Sequence, residues 1–260
     1  MKIIVCIKQV PDTTEVRLNP DTGTLIRDGV PSIINPDDKA GLEAALRLKD
    51  QYRAEVIVVT MGPPQADVAL REALAMGADG AYLVSDRAFG GADTWATSST
   101  LASAIRKIGN FDLIITGRQA IDGDTAQVGP QIAEHLKLVN ISYAEEITLE
   151  GNLLVVKRQF EDRYHIIKAK LPCLITALAE LGEPRYMTPR GIIKAYQQEI
   201  KTLTKADLDV EAGNIGLKGS PTRVFKSFTK AVKGKGTVVS LPADESAAWL
   251  LERLQEKFII

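Results

Sequence analysis

Two cysteines and two histidines in 260 residues leave little with which to hold a metal. There is no CxxC pair, and Cys6 and Cys173 both lie in apolar runs, where a thiol is more often a buried reduced hydrophobe than half of a bridge. Both facts argue against a zinc or iron–sulfur site, and His135, beside Leu136 in a helical pattern, reads as structural. Neither sign of charge is in excess: the net charge is −1 and the pI near 6.2, so no basic field points to nucleic acid. No apolar run approaches transmembrane length, and Met1-Lys2 leads straight into a strand rather than a cleavable signal. A cytoplasmic protein without membrane insertion is expected. Also missing are a GxxxxGK[ST] loop, a GxGxxG fingerprint and any Ser-His-Asp or Cys-His arrangement. What remains is 45% hydrophobic content, enough for a sizeable core.

The organising stretch is 111–136, FDLIITGRQAIDGDTAQVGPQIAEHL. An apolar run from Phe111 to Ile115 breaks at Thr116-Gly117, crosses a loop rich in Gly and Asp, and re-enters a helical pattern near Thr125 with Val128, Ile132 and Leu136 on one stripe. Strand, loop and helix follow. The N–H groups of a first helical turn lack internal partners and sit at the positive end of the helix dipole, so such a junction suits phosphate. Asp124 or Thr125 can cap the helix, while Gly117, Gly123 and Gly129 permit close approach of a ligand. An ordinary capped βα loop has the same composition.

Three more strand–helix pairs precede it. Strand 2–7 is followed by an insertion in which EVRLN and TLIRD flank the Asn19-Pro20-Asp21-Thr22-Gly23 turn, predicting a small hairpin. Asn35-Pro36 then opens a helix through Asp50 with a face of small residues. Strand 54–62 leads into a helix stopped by Gly77, and strand 81–85 leads through Gly90-Gly91 into WATSSTLASAIRKI, capped by Asp93 or Thr94. Alternation of this kind predicts an α/β fold: a parallel sheet with helices on both faces. Ligands then bind at the carboxyl ends of the strands, where the four loops emerge together.

After Asn140 the runs become alternating, with turns at Glu150-Gly151-Asn152 and Glu161-Asp162-Arg163, predicting an antiparallel meander through CLITAL. A short helix is expected around Ile192–Gln198, then an extended piece. Residues 1–204 form the expected nucleotide-binding domain. From Lys205 the chain is turn-rich with few core-forming runs, an arm either mobile or laid against a partner. It ends in an amphipathic helix over 243–257 with Trp249, Leu250, Leu254 and Phe258 along one face, suited to packing on its own domain or on a partner.

VCIKQVPDT, INPDDKAGLEAALRLK, VTMGPPQADVALREALAMGAD, TGRQAIDGDTAQVGPQIAE and VKRQFEDRYHIIKAKLPCLIT with LGEPRYMT together resemble the beta subunit of electron transfer flavoprotein, over nearly the whole chain. The resemblance implies an adenine-nucleotide alpha-hydrolase-like fold and a heterodimer with an alpha subunit, against which 205–260 would pack. GDTAQVGP, with GGADTWATS upstream, is similar to the electron-bifurcating members of butyrate-forming anaerobes. For such a member the resemblance implies FAD in this chain, a second FAD in the alpha subunit, and NADH as electron donor. Its electron acceptors would be ferredoxin or flavodoxin and an acyl-CoA (butyryl-CoA) dehydrogenase. A conventional member would hold AMP instead, and a universal-stress-type nucleotide-binding module is a remote alternative that would be complete near residue 140.

The resemblance places nucleotide contacts at Cys6, at Asn35, Pro36, Asp37 and Asp38, and at Met61. It also places them along Gly117, Arg118, Gln119, Ala120, Ile121, Asp122, Gly123, Asp124, Thr125, Ala126, Gln127 and Val128. Gly90, Asp93, Thr94 and Thr97 would border the flavin or NADH. No side chain is assigned a catalytic role, since hydride transfer requires orientation rather than an acid or base. There are two departures from the family pattern. Thr13 and Asp37 stand where conventional members carry aromatics, and Pro189 stands at the usual leucine anchor of the partner-recognition loop, with Tyr186, Met187, Ile192 and Ile193 as the remaining docking residues.

Overall fold

The continuous apolar runs become buried strands, because a strand covered by helices on both faces has no side to leave polar. The protein is described by a computed structural model covering residues 1–12, 31–222, 225, 234 and 236–260. It divides into two compact units, Met1–Arg223 and Val224–Ile260. In the first unit the chain runs through β1 (Lys2–Cys6), β2 (Gln9–Pro11), β3 (Ser32–Ile34) and α1 (Pro36–Tyr52). It continues through β4 (Glu55–Met61), α2 (Asp67–Met76), β5 (Gly80–Val84), α3 (Thr94–Ile108), β6 (Leu113–Gly117) and α4 (Val128–Leu136). β7 (Val139–Glu150), β8 (Leu153–Phe160), β9 (Arg163–Lys170), β10 (Cys173–Ala177), α5 (Pro189–Gln197) and β11 (Lys201–Leu203) complete it.

Nine strands form one sheet in the order β11-β5-β4-β1-β6-β10-β7-β8-β9. From β11 to β7 every neighbouring pair is parallel; β8 and β9 extend the sheet as an antiparallel hairpin. The chain steps from β1 outward to β4 and β5, then returns across β1 to β6, so the connections diverge between β1 and β6. Side chains of alternate parity fill two cores. Ile3, Val5, Leu42, Leu46, Leu70 and Ile115 pack beneath α1 and α2, and Ile4, Val59, Leu101, Ile105, Ile114 and Ile132 beneath α3 and α4.

Two details differ from the sequence reading, and one expectation falls outside the described residues. The meander ends early: β10, with all of Cys173–Ala177 buried, inserts between β6 and β7 as a parallel strand. Its continuous apolar run is the mark of a strand covered on both faces rather than of a meander edge. Next, Leu208 and Ile215 are buried in the second core and Ser103 Oγ donates to Asp209 O at 3.0 Å, so residues 205–222 belong to the first unit and its boundary falls at Arg223 rather than 204. Finally, the segments EVRLN and TLIRD and Thr13 lie outside the described residues, although β2 and β3 on either side pair antiparallel. The second unit contains α6 (Ala243–Glu256), none of whose residues is buried; Arg253 stacks over Trp249 at 5.7 Å.

Candidate functional site

A cleft of about 1280 Å³ opens at the carboxyl ends of β1, β4, β5 and β6. Its floor is organised by Asp38, in the first turn of α1 and almost fully buried. One carboxylate oxygen accepts from Lys8 N at 2.8 Å, just past β1, and the other from Gly117 N at 2.9 Å, at the end of β6. One side chain thus pins together the two strand ends between which the sheet's connections diverge. Gly117 is glycine for a steric reason: a Cβ there would lie 2.2 Å from Asp38 Oδ1 and 2.8 Å from Asp38 N. Burial pushes the Asp38 carboxyl up to about 7, against the pull of the Lys8 and Gly117 N–H groups and of Asn35. Beside it, burial and then the Asp38 charge push the Cys6 thiol up to about 12, so this cysteine is inert as a nucleophile.

The 118–127 loop is tied down from below. Asn35, wholly buried, donates from Nδ2 to Gln119 O at 2.8 Å and accepts on Oδ1 from Ile121 N at 3.0 Å. Lys8 Nζ pairs with both Asp122 oxygens at 2.7 and 2.9 Å, and Gln119 Nε2 donates to Asp124. Asp124 and Ala126 adopt left-handed backbone, φ 52° and 53°, so the loop stays extended and α4 starts only at Val128. Neither Asp124 nor Thr125 caps it. The N-cap position is Gln127, with no side-chain cap at all, and this uncapped start, Gln127 to Gly129, lines the cleft. Arg118 Nε lies 3.4 Å from Asp37 Oδ2, near enough for attraction yet misaligned for a hydrogen bond, and both atoms are buried without a partner. Burial raises the Asp37 carboxyl, opposed by the Arg118 charge.

The third wall comes from the β5–α3 connection. Asp93 caps α3, its Oδ1 accepting from Ala96 N at 3.0 Å, as expected from the sequence. Its other oxygen accepts from Thr222 N at 3.0 Å and Thr222 Oγ1 at 2.7 Å, so the carboxylate is spent on the protein rather than offered to the cleft. Thr94 Oγ1 reaches across to Gln127 Oε1 at 2.9 Å, joining this wall to the start of α4.

Of the residues singled out in the sequence, Cys6, Asp38, Met61, Gly90, Asp93, Thr94, Thr97, Gly117, Arg118, Gln119, Ala120, Gly123, Thr125, Ala126, Gln127 and Val128 line this cleft. Asn35, Pro36, Asp37, Ile121, Asp122 and Asp124 do not; Asn35, Asp122 and Asp124 instead bond to loop residues or to Lys8, and Asp37 lies against Arg118 without a hydrogen bond to it. The sequence reading did not find Thr60, Pro63, Ser85, Arg87 or Thr222. The first four lie at or just after the β4 and β5 ends and were available from the strand pattern. Thr222 was not, because nothing local brings it back to α3. A cleft walled by glycine-bearing loops and an uncapped helix start fits an anionic nucleotide, and no group of three acidic, histidine or cysteine side chains placed to hold a metal occurs among the described residues.

A parallel sheet whose strand ends converge on one large cleft of this kind defines an α/β protein with its ligand site at the strand ends. Residues 22–208 match the Electron transfer flavoprotein domain. The chain is 56% identical over its full length, and the full length of the relative, to the electron transfer flavoprotein subunit beta of Clostridium acetobutylicum. It is 55% identical, again with both chains fully covered, to the caffeyl-CoA reductase-Etf complex subunit CarD of Acetobacterium woodii. To the acryloyl-CoA reductase electron transfer subunit gamma of Anaerotignum propionicum it is 48% identical with both chains fully covered. The chain belongs to the electron transfer flavoprotein family, among its beta subunits. No helix among the described residues is long and apolar enough to cross a membrane.

Proposed function

We propose that this chain carries FAD in the 1280 Å³ cleft and, paired with an alpha subunit bearing a second FAD, oxidises NADH and bifurcates the electrons. The acceptors are ferredoxin or flavodoxin on one branch and, through the alpha-subunit flavin, an acyl-CoA dehydrogenase such as butyryl-CoA dehydrogenase on the other. The observation that carries this reading is the size of the cleft and its continuity across four loops. That volume lies above the roughly 300–1,000 Å³ of an ordinary small-molecule pocket, so a dinucleotide flavin as well as AMP would find space in it. The names of two relatives, both in acyl-CoA reductase systems, support the same direction.

When bound, FAD supplies hydride acceptance and one-electron release; the chain's task is to hold and orient it. The uncapped start of α4 with the Gly117–Val128 loop receives the pyrophosphate, and the Gly90–Thr97 wall borders the ring and the nicotinamide. Arg118, whose Nε has no hydrogen-bond partner and whose side chain lines the cleft, is placed to bring positive charge to the bound group. Tyr186, 95% exposed, with Met187, Pro189, Ile192 and Ile193 at and before the start of α5, forms the dehydrogenase docking surface. The exposed Leu250, Leu251 and Phe258 of the second unit pack on the alpha subunit.

The test is flavin stoichiometry on the co-purified alpha–beta complex, followed by anaerobic addition of NADH. About two FAD per heterodimer, bleached by NADH, is expected. One flavin with releasable AMP and no response to NADH would make this a conventional carrier.

A further inference from the structure

Residues 208–222 return to the cleft from the far end of the first unit and are laced onto the β5–α3 connection. Leu217 N donates to Gly90 O at 3.0 Å. Gly216, at φ 59°, lies so close that a Cβ would sit 2.1 Å from Ala88 O. Ser220, buried, accepts from Asp93 N at 2.8 Å and donates to Gly216 O at 2.8 Å. The network closes on Thr222, which itself lines the cleft and gives both its N–H and its hydroxyl to Asp93 Oδ2.

The two oxygens of Asp93 therefore have separate duties. Oδ1 caps α3 and would do so unaided. Oδ2 adds nothing to the helix; it fastens a segment more than a hundred residues away in sequence to the lip of the cleft. We infer that Thr222 and Asp93 form a latch that positions the Gly90–Thr97 wall, and that closing this latch, rather than capping α3, retains the bound nucleotide. The inference rests on the cleft being the nucleotide site proposed above. Thr222 and Asp93 are positioning residues. Burial acts to raise the Asp93 carboxyl, but the hydrogen bonds from Ala96 and Thr222 outweigh it and hold the group below the usual carboxylate range, ionised as an acceptor for two donors.

The experiment measures nucleotide released on dilution of the alpha–beta complex, separated by chromatography as FAD or AMP, together with amide exchange across 208–222. Thr222→Val keeps shape and the backbone donor but loses the hydroxyl, and Asp93→Ser keeps an N-cap acceptor but loses Oδ2. Both are expected to release nucleotide roughly three- to tenfold faster and to raise exchange in 208–222, while Thr222→Ser restores the wild-type rate. Wild-type release from Thr222→Val, or faster release confined to Asp93→Ser, would overturn the latch. A wild-type complex that holds neither FAD nor AMP would instead overturn the nucleotide reading itself, before any variant is made.

Discussion

At the scale of single residues Asp38 has the largest consequence. Two backbone N–H groups stabilise its charge, yet full burial dominates and the carboxyl titrates at about 7 instead of 3.8. The native state therefore binds a proton that the unfolded chain has released. Stability from this group is fully present below about pH 4 and is lost as pH rises toward 7. Asp38→Asn removes that dependence while adding a constant cost, since its amide NH₂ must face one of two N–H donors. Urea unfolding of both proteins between about pH 4 and pH 7 checks it: the difference should move in favour of the variant by a few kcal/mol as pH rises. A constant difference would mean that Asp38 stays ionised throughout.

Elements are set against one another by small residues. Gly129, in the first turn of α4, leaves no room for a Cβ, which would meet Thr116 Oγ1 at 2.5 Å and Thr176 Cγ2 at 2.8 Å. Gly129→Ala should push α4 away from β6 and β10, costing about 1–3 kcal/mol and lowering bound nucleotide, because the same turn walls the cleft. At Gly123, by contrast, a Cβ meets nothing within 4 Å, so Gly123→Ala should leave the thermal midpoint nearly unchanged. Paired thermal melts and nucleotide analysis would separate the two. The segment leading to α5 is held differently. Glu43 of α1, buried, receives Arg185 N, Nε and Nη2 at 3.1, 2.8 and 3.1 Å, while Asp50 takes Nη2 at 2.8 Å. A buried carboxylate paired this completely fixes the chain immediately before the exposed Tyr186 and Met187.

For the whole molecule, an exposed apolar segment is costly unless a partner covers it. Ile193, 62% exposed on α5, is far less constrained by its own fold than the buried Ala195. Ile193→Asp should therefore leave stability and bound nucleotide unchanged but raise the apparent KM for a reduced acyl-CoA dehydrogenase by tenfold or so, the order of one lost interface anchor. Equal KM values would remove this surface from the docking proposal.

The parallel half of the sheet was legible in the chain because buried strands announce themselves as continuous apolar runs, as in KIIVC, EVIVVTM and LIITG. The caps and stops at Asp93 and Gly77 were equally local, each a matter of one residue's own chemistry. Those features, with the family motifs, determined the fold class and placed a cleft at the strand ends. Tertiary structure alone decided that CLITA enters the sheet between β6 and β7, that α4 is left without a side-chain cap, and that Asp93 binds Thr222 across 129 residues. Sequence periodicity reports which side of an element is buried but not against what, since strand order and long-range hydrogen bonds depend on groups that meet only when the chain closes on itself.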